Sequence, residues 1–374
     1  MEAIRTPTQH GYLVLADISG YTPFMAGTEL EHSHEIMSEL LELIVSRLTP
    51  VLTLADLEGD AVFAFAPEAR LLRGETLLEL VEATYVAFKE RLKNVRRNTT
   101  CECRACLTAH TLDLKFIVHY GEYLARRAAG GYELTSLDAN LVRQRLLKNA
   151  VSETGWHGYV VFTERCMARM RVRPEGGRAQ TAAYEHMGEV GTYSLDLQAR
   201  YQELAEARRV FVGPDEADFV FTHDFPAPPP VVWEWLNEPE KRMRWQRGRT
   251  WRVGLRPGGR TGPGARNHCA HSAGQLLETI LDWRPFDYFT IETAQSPLVL
   301  TATLRLEPLP AGGGTRVQTC FRAQRPRLGP FTRPLIKMAV EAMRLPKAYG
   351  ALARLIAAET PREEEAPTSS SAAR

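Results

Sequence analysis

Two aspartates near the start of the chain lie where metal and phosphate chemistry would need carboxylates. Asp17 ends the apolar run 11–16, and Asp60 follows Gly59 at a predicted hairpin turn. If the two strands are neighbours, both carboxylates converge at one end of a sheet. Carboxylate oxygens are hard ligands, suited to Mg²⁺ or Mn²⁺ carrying a nucleotide's phosphates. Gly20 would let the turn after the first strand approach a phosphate closely. In the alternative interpretation, Asp17 caps the next segment and Asp60 serves only the turn.

Three cysteines within six residues could bind a different kind of metal. They are Cys101, Cys103 and Cys106, in the segment TTCECRAC. Thiolates at this spacing can converge on one Zn²⁺, which takes four soft or borderline ligands. His110 is the nearest candidate for the fourth ligand, and His119 and Cys166 are further candidates. The alternatives are inert or redox-reactive thiols. An iron–sulfur cluster is disfavoured because no fourth cysteine is near in the sequence.

The other histidines carry a weaker signal. His32 and His34 are two residues apart on a predicted helix, so they do not share a face. His268 and His271 lie on a predicted strand and point to opposite faces. We therefore interpret these four side chains as solvated or locally hydrogen-bonded.

The bulk composition predicts a two-domain cytoplasmic protein. A chain of 374 residues exceeds the size at which one core keeps growing. The formal net charge of +1 gives no reason to expect nucleic acid or an anionic membrane as partner. No apolar run approaches the roughly 18 to 20 residues of a transmembrane helix, and the N-terminus lacks a signal-peptide pattern. In the cytoplasm the cysteines should be thiols or metal ligands.

Short apolar strands and amphipathic helices alternate in the first half. The predicted strands are 11–16, 51–57, 61–65, 112–120, 159–162 and 191–195. The predicted helices are 31–48, 74–93 and 137–151. This order mixes hairpin and crossover connections, and it predicts a sheet with helices against it.

A second pattern follows the polar, helix-like segment 202–209. The predicted strands are 219–223, 251–255, 266–272, 276–283, 289–294, 299–309 and 315–322. The predicted helices are 231–236 and 239–246, after a proline-rich break, and 334–358, which Pro346 should kink or restart. We therefore predict a first domain at 1–200, a linker at 201–215, a second domain at 216–358 and a disordered tail at 359–374.

The segments DISGYTPFM, beginning at Asp17, and LEGDAVFAFAP, containing Asp60, resemble the two metal-binding segments of class III nucleotidyl cyclases. In that family an Asp-Ile-x-Gly-Phe-Thr segment and a Gly-Asp hairpin supply the metal-binding aspartates. The separation of the two segments and the intervening helix also match. The resemblance covers roughly residues 8–198. It implies a ferredoxin-like α/β sandwich and a homodimer.

The resemblance also implies roles for individual residues. Asp17 and Asp60 would bind Mg²⁺ or Mn²⁺. Arg145 would stabilise the transition state in which a nucleoside triphosphate is cyclised. The residues expected around the nucleotide are Ile18, Gly20, Thr22, Gly59, Arg143 and Lys148. Ile18 would offer its backbone carbonyl, and Thr22 would lie beside the phosphates.

Three positions depart from the family's pattern. Asp56 takes the place of the base-selecting lysine, Leu141 that of an asparagine, and Met187 that of a phosphate-binding lysine. The missing cations would weaken stabilisation of the leaving pyrophosphate, although Arg143 and Lys148 could substitute. The segment LLKN, which contains Lys148, together with the cysteine segment instead resembles a functionally undefined offshoot of the cyclase fold.

The segment order of the second half resembles the START-like helix-grip family, also called polyketide-cyclase-like. The matching segments are FPAPPPVVWEWLNEPEKRMRW, GQLLETILDWRPFDYFTIE and the final helix, over about residues 216–358. The resemblance implies a curved antiparallel sheet wrapped on the last helix, with a cavity for an apolar or amphipathic small molecule. Arg266, His268 and Glu278 are polar strand residues that could project inward.

The predicted fold class is therefore α+β, a cyclase-type sandwich followed by a helix-grip domain. Three hypotheses of function follow. The first is a metal-dependent nucleotidyl cyclase regulated by the second domain. The second is an inactive sensor that binds a nucleotide or a lipid-like ligand. The third is a transfer protein for small hydrophobic molecules, with the first domain as scaffold.

Overall fold

The computed structural model describes two β-sheets, each with its own helices. The described residues are 7–71, 75–98, 103–128, 131–143, 154–184, 187–271, 274–295, 298–310, 313–325, 331, 334, 336–338 and 344–359. The predictions for Cys101, Arg145, Lys148 and the tail after Glu359 lie outside these residues.

The first sheet has eight strands. They are β1 (Gln9–Ser19), β2 (Thr53–Glu58), β3 (Ala61–Pro67), β4 (Asp113–Ala128), β5 (Gly131–Thr135), β6 (Tyr159–Thr163), β7 (Arg178–Tyr184) and β8 (Gly188–Asp196). The strand order is β2-β3-β1-β4-β6-β8-β7, with β5 paired to β4. β4 and β6 run parallel, and the other pairs are antiparallel.

Helices cover both faces of this sheet. They are α1 (Tyr21–Gly27), α2 (Leu30–Leu48), α3 (Glu75–Asn98), α4 (Arg104–Thr108), α5 (Leu137–Arg143), α6 (Glu164–Met170) and α7 (Leu197–Glu206). Side chains alternate along β1, so Tyr12 and Val14 join the core with α2 and α3, whereas Leu13 and Leu15 join the core with α5. Burial on both faces explains why β1 has a continuous apolar run, YLVLA, at its centre.

The second sheet has seven antiparallel strands in the order β10-β11-β12-β13-β14-β15-β9. They are β9 (Phe219–Phe225), β10 (Thr250–Val253), β11 (Arg266–His271), β12 (Gly274–Arg284), β13 (Tyr288–Gln295), β14 (Leu298–Pro308) and β15 (Thr315–Arg325).

The helices that pack with this sheet include α8 (Pro229–Asn237), α9 (Pro239–Trp245) and α10 (Leu345–Glu359). The predicted apolar stripe of α10 is buried in the core, at Tyr349, Leu352 and Ile356. Pro346 lies in the first turn of α10, where a proline is tolerated. None of the helices that the structure describes is long and apolar enough to cross a membrane.

The predicted α+β fold class is confirmed. Two strands of the first sheet, β5 and β7, were absent from the sequence prediction. β7 has the sequence RAQTAAY and exposes most of its side chains. It lies at the sheet edge, so it lacks the apolar alternation by which a strand is recognised.

Candidate functional site

The two predicted aspartates lie at the same end of neighbouring strands. Asp17 on β1 is paired with Ala61 on β3, the residue that follows Asp60. The amide of Ile18 donates a hydrogen bond to the carbonyl oxygen of Asp60, with 3.0 Å between nitrogen and oxygen. Asp17 is buried. The structure thus brings the two aspartate segments to one edge of the sheet, formed by the end of β1 and the turn between β2 and β3.

Two glycines let the chain turn at this edge. Gly20, after β1, has a φ of +83°, and Gly59, between β2 and β3, has a φ of +65°. These angles are in the left-handed region that favours glycine. A Cβ atom on Gly20 would lie 3.4 Å from the carbonyl oxygen of Thr111. The turn at Gly20 leads directly into α1, which carries Thr22 and is anchored by the buried Phe24.

A cation beside Asp17 escaped the sequence analysis. Lys115 on β4 is the direct strand partner of Asp17 and of Tyr159 on β6. Its Nζ lies 5.7 Å from the centre of the Tyr159 ring. Burial, with Asp17 nearby, raises the pKa of Tyr159 to about 12, so the phenol is neutral. The sequence signal for this residue was a lysine within an otherwise apolar predicted strand.

Arg143, at the end of α5, is directed to the hairpin that carries Asp60. Its Nε lies 2.6 Å from Glu58 Oε1, and its guanidinium lies 5.1 Å from the centre of the Phe63 ring. The guanidinium of Arg143 therefore lies next to the Gly59–Asp60 turn, where Glu58 balances its charge.

The positions that depart from the cyclase pattern have structural explanations. Leu141 is buried in the core between α5 and the sheet. Met187 packs against the same core. Asp56 is exposed at an irregularity of β2, and its Oδ1 accepts a hydrogen bond from the amide of Leu57 at 2.8 Å. Leu141 and Met187 therefore contribute packing at positions where the family pattern has polar site residues.

A buried histidine and aspartate fix α5 against the sheet. His119 Nε2 lies 3.1 Å from Asp138 Oδ1, and His119 Nδ1 lies 2.8 Å from Thr163 Oγ1. Burial opposes ionisation of Asp138, but His119 and the amide of Glu122 hold its pKa below the usual range. A Cβ atom on Gly121 would lie 2.2 Å from Asp138 Oδ2, so this glycine makes room for the carboxylate. His119 is thus committed to α5, away from the cysteines.

The structure joins two of the predicted cysteines to a histidine that the sequence analysis set aside. The ligand atoms of His32, Cys103 and Cys106 all lie within 4.8 Å of one another. His32 Nδ1 lies 3.1 Å from Cys103 Sγ. His110 instead bonds locally, with its Nδ1 2.8 Å from the carbonyl oxygen of Leu107. The interpretation of His32 as solvated or locally bonded is therefore corrected.

Cys166, the other predicted candidate, makes its thiol contact elsewhere, within α6. Its thiol is buried and donates to Met170 Sδ at 3.5 Å. Burial raises the pKa of this thiol far above its usual value, so it stays protonated.

A buried polar junction connects the two halves. Glu75, Glu79 and Glu82 lie on one face of α3, since they are spaced by four and three residues. The indole Nε1 groups of Trp233 and Trp283 each donate to Glu79, at 2.9 and 2.6 Å. These tryptophans come from α8 and β12, so this carboxylate is held by the second half.

The neighbouring glutamates of the junction also have partners in the second half. Arg260 binds Glu82 through two hydrogen bonds, one of 2.7 Å, and the amide of Thr261 donates to Glu75. Burial opposes ionisation of Glu82, but Arg260 and Arg200 lower its pKa, so it is charged. Burial, with the nearby Glu75, instead raises the pKa of Glu79 to about 8. The spacing of these glutamates was visible in the sequence, but their partners were not.

The second sheet, α9 and α10 line a partly open cavity of about 110 Å³. Its wall includes a buried ion pair in which Arg242 donates to both oxygens of Glu278, at 2.8 and 2.9 Å. Asn267 donates to the same carboxylate at 2.8 Å. The predicted inward direction of Glu278 is confirmed. Arg266 and His268 are exposed, because strand alternation turns Asn267 inward between them.

Comparisons with known families match each half separately. A family model described as "Polyketide cyclase / dehydrase and lipid transport" matches residues 216–357. This match confirms the resemblance predicted for the second half. A model described as "Protein of unknown function (DUF2652)" matches residues 37–156. The uncharacterized protein Rv2561/Rv2562 of Mycobacterium tuberculosis is 27% identical over 188 residues, which are 50% of this chain and 84% of that protein.

Nucleotidyl cyclases are among the solved structures that the chain resembles. The guanylyl cyclase Cya2 is 14% identical with a TM-score of 0.38, covering 50% of this chain and 92% of that one. The adenylyl cyclase CyaB from P. aeruginosa is 15% identical with a TM-score of 0.38, covering 51% of this chain and 95% of that one. Cyclase activity is a property of those proteins.

Proposed function

We propose that the first half binds a nucleoside triphosphate together with Mg²⁺ or Mn²⁺ at the edge formed by Asp17 and Asp60. The observation that carries this proposal is the pairing of the two segments, through the register of Asp17 with Ala61 and the hydrogen bond from Ile18 to Asp60. Two carboxylates from adjacent strand ends form the hard oxygen donor set that such ions prefer.

Other residues of this chain would position the nucleotide. The bound divalent ion would supply neutralisation of the phosphate charge. Gly20 and Gly59 keep the two turns short and free of side chains, and Thr22 follows in α1. Lys115 lies opposite Asp17, and Arg143 lies beside the Gly59–Asp60 turn, where it is ion-paired with Glu58 but could turn to a phosphate oxygen. These contacts support binding of a polyanion.

The geometry supports binding more than turnover. In cyclisation the 3′-oxygen of the nucleotide would bond to the α-phosphorus, and pyrophosphate would leave with its negative charge. Leu141 and Met187 are committed to packing and cannot stabilise that charge. A nucleotide-binding sensor is therefore the form of the function that we favour, and a cyclase is the alternative.

Titration of the full chain with each of ATP, GTP, CTP and UTP tests this proposal. Affinity is measured with Mn²⁺ and without a divalent ion, and cyclic nucleotide and pyrophosphate are sought by mass spectrometry. We expect metal-dependent binding that is lost in Asp17→Asn and Asp60→Asn. The exposed Asp215→Asn, in the second half, is the matched control and should bind normally. Binding that is equal in all variants would refute the site, and sustained product formation would establish the cyclase.

A second candidate function is binding of an anionic amphiphile in the second half. The cavity under α10 adjoins an open cleft of about 470 Å³, and Trp245, Gln246, Arg249 and Leu345 line both. Five cationic side chains line this cleft: Arg247, Arg249, Arg344, Lys347 and Arg354. An apolar group could enter the cavity while an anionic head group stays at the basic mouth.

Paired probes test this second function. We expect octanoate to bind more tightly than uncharged octanol in calorimetric titrations of the full chain. Arg249→Gln with Lys347→Gln should reduce that preference. Arg305→Gln, on the exposed side of β14 and paired with Glu307, is the control and should retain it. Equal affinity for both probes in the unmodified chain would rule out the basic mouth as a head-group site.

The junction supports a third element of the proposal, which is coupling between the two sites. α3 packs within the first half and presents Glu79 and Glu82 to Trp233, Trp283 and Arg260. A ligand that shifts α8 or β12 would therefore act on a helix of the nucleotide-binding half. A homodimer, which the cyclase resemblance implies, stays a prediction that sedimentation equilibrium would test.

A further inference from the structure

A histidine on α2 and two cysteines at the start of α4 form a compact cluster of nitrogen and sulfur ligands. The three ligand atoms, one each from His32, Cys103 and Cys106, lie within 4.8 Å of one another. Ligands bound to one tetrahedral Zn²⁺ at normal bond lengths lie about 3.5 Å apart. The separation of His32 Nδ1 from Cys103 Sγ is 3.1 Å. The cluster therefore has nearly the dimensions that a shared ion requires.

The backbone around the cysteines also suits a metal site. Cys103 and Cys106 have the two-residue separation found in zinc-binding turns. The amide of Cys106 donates to Cys103 Sγ at 3.4 Å, so the turn itself holds this sulfur in position. Both cysteines are half-buried thiols, and the reduced form of cysteine is the one that binds metal.

Protein contacts hold the cluster together from both sides. The carboxylate of Glu29, the residue before α2, accepts hydrogen bonds from the amides of Arg104 and Ala105, at 3.3 and 3.1 Å. The side chain of Ala105 is buried. The start of α4 is thus fixed against the start of α2, three residues before His32, and the ligands are placed before any ion binds.

We propose that His32, Cys103 and Cys106 supply three of the four ligands of a structural Zn²⁺ ion that ties α2 to the segment between α3 and β4. The imidazole and two thiolates are the borderline and soft ligands that Zn²⁺ prefers over Mg²⁺ or Mn²⁺. On binding, each thiol releases its proton and its sulfur bonds to the metal. His110, which lies closest to the cysteines in the sequence, is not a ligand.

The position of this site gives it a structural role. α4 contacts α1 as well as α2 and α3. α1 directly follows the turn at Gly20, so an ion at the cluster would stabilise the helices behind the Asp17 edge. The zinc ion itself would not bind to Asp17 or Asp60.

Metal analysis of the purified full chain tests the proposal. The chain is freed of any histidine tag, exposed to Zn²⁺ under reducing conditions, and dialysed before elemental analysis. We expect close to one zinc ion per chain, and loss of that zinc in Cys103→Ser with Cys106→Ser and in His32→Ala. His34→Ala, on the same helix and exposed, and His110→Ala are matched controls that should keep the zinc.

A spectroscopic measurement on the unmodified chain keeps the test decisive if a variant fails to fold. Co²⁺ bound to cysteine thiolates gives a charge-transfer band in the near ultraviolet, which Zn²⁺ should abolish by displacement. Absence of zinc together with absence of this band would overturn the proposal. Zinc that is retained in His32→Ala but lost in His110→Ala would also overturn it, because His110 would then be the ligand.

Discussion

The first half contains two acidic regions that differ in where their partners come from. At the sheet edge, Asp17 and Asp60 are brought together by one strand and the adjacent hairpin, through the backbone bond from Ile18. At the junction, Glu79 accepts hydrogen bonds from Trp233 and Trp283, which follow it in the chain by 154 and 204 residues.

This difference separates two roles for a buried carboxylate. The junction carboxylates are bound by fixed donors from the second half, so they stabilise the assembly of the two halves. The edge carboxylates belong to segments whose residue types suit a divalent ion. Acidity and burial alone would not have distinguished the two regions, since Asp17 and Glu79 are 4% and 2% exposed.

The largest effect is expected from removing the junction carboxylate. Glu79→Ala leaves two buried indole N–H groups without their acceptor and opens a void between the halves. We expect the free energy of unfolding to fall by about 3 kcal/mol. Trp233 and Trp283 themselves report the change in fluorescence-detected urea unfolding. Glu42→Ala, exposed on α2, should change little, and an equal loss in both variants would contradict the assigned role.

The junction should also make stability depend on pH. The pKa of Glu79 is raised to about 8 from a reference of 4.5. Between these values the folded chain holds a proton that the unfolded chain has lost, so this contribution to stability falls as pH rises. The slope is at most about 1.4 kcal/mol per pH unit.

Urea unfolding at several pH values measures that slope. Glu79→Gln should reduce it, because an amide does not titrate, and Glu42→Gln should leave it unchanged. A slope that is identical in Glu79→Gln would show that other groups cause the pH dependence.

A smaller effect on stability is expected at the sheet edge. Asp17→Asn keeps the size of the side chain and the backbone register with Ala61 and Lys115. We expect the free energy of unfolding to change by about 1 kcal/mol or less, whereas metal-dependent nucleotide binding is lost. A loss of stability as large as that of Glu79→Ala would remove the contrast between the two regions.

The smallest effect is expected from Glu75→Gln. The amide oxygen can still accept the hydrogen bond from Thr261, so stability near neutral pH should change by about 0.5 kcal/mol or less. The substitution removes a like charge beside Glu79. The pKa of Glu79 should therefore fall, and the pH-dependent loss of stability should end at a lower pH.

Sequence reasoning was most successful where the signal is local. The aspartate segments, the apolar stripe of α10 and the succession of strands and helices along the second half were all predicted. The edge strand β7 was missed because its side chains are mostly exposed. Lys115 was missed because its meaning depends on the strands beside it, which place it opposite Asp17 and Tyr159.

The assignments of His110 and His32 show the same limit, because proximity in the sequence does not predict which histidine contacts the cysteines. His110 is four residues from Cys106 in the sequence, yet its ring bonds to Leu107. His32 is 71 residues from Cys103, yet its ring contacts that sulfur. Packing of α4 against α2 decides between them, and this packing is set by Glu29 and the buried Ala105.

The sequence by itself determined the two fold types and the segments that carry Asp17 and Asp60, because strand periodicity and turn chemistry act over a few residues. Only the tertiary structure decided which histidine joins the cysteines, which cation lies beside Asp17 and which carboxylates bind the second half. Those choices depend on contacts between residues far apart in the chain, and such contacts exist only once the helices and sheets have packed.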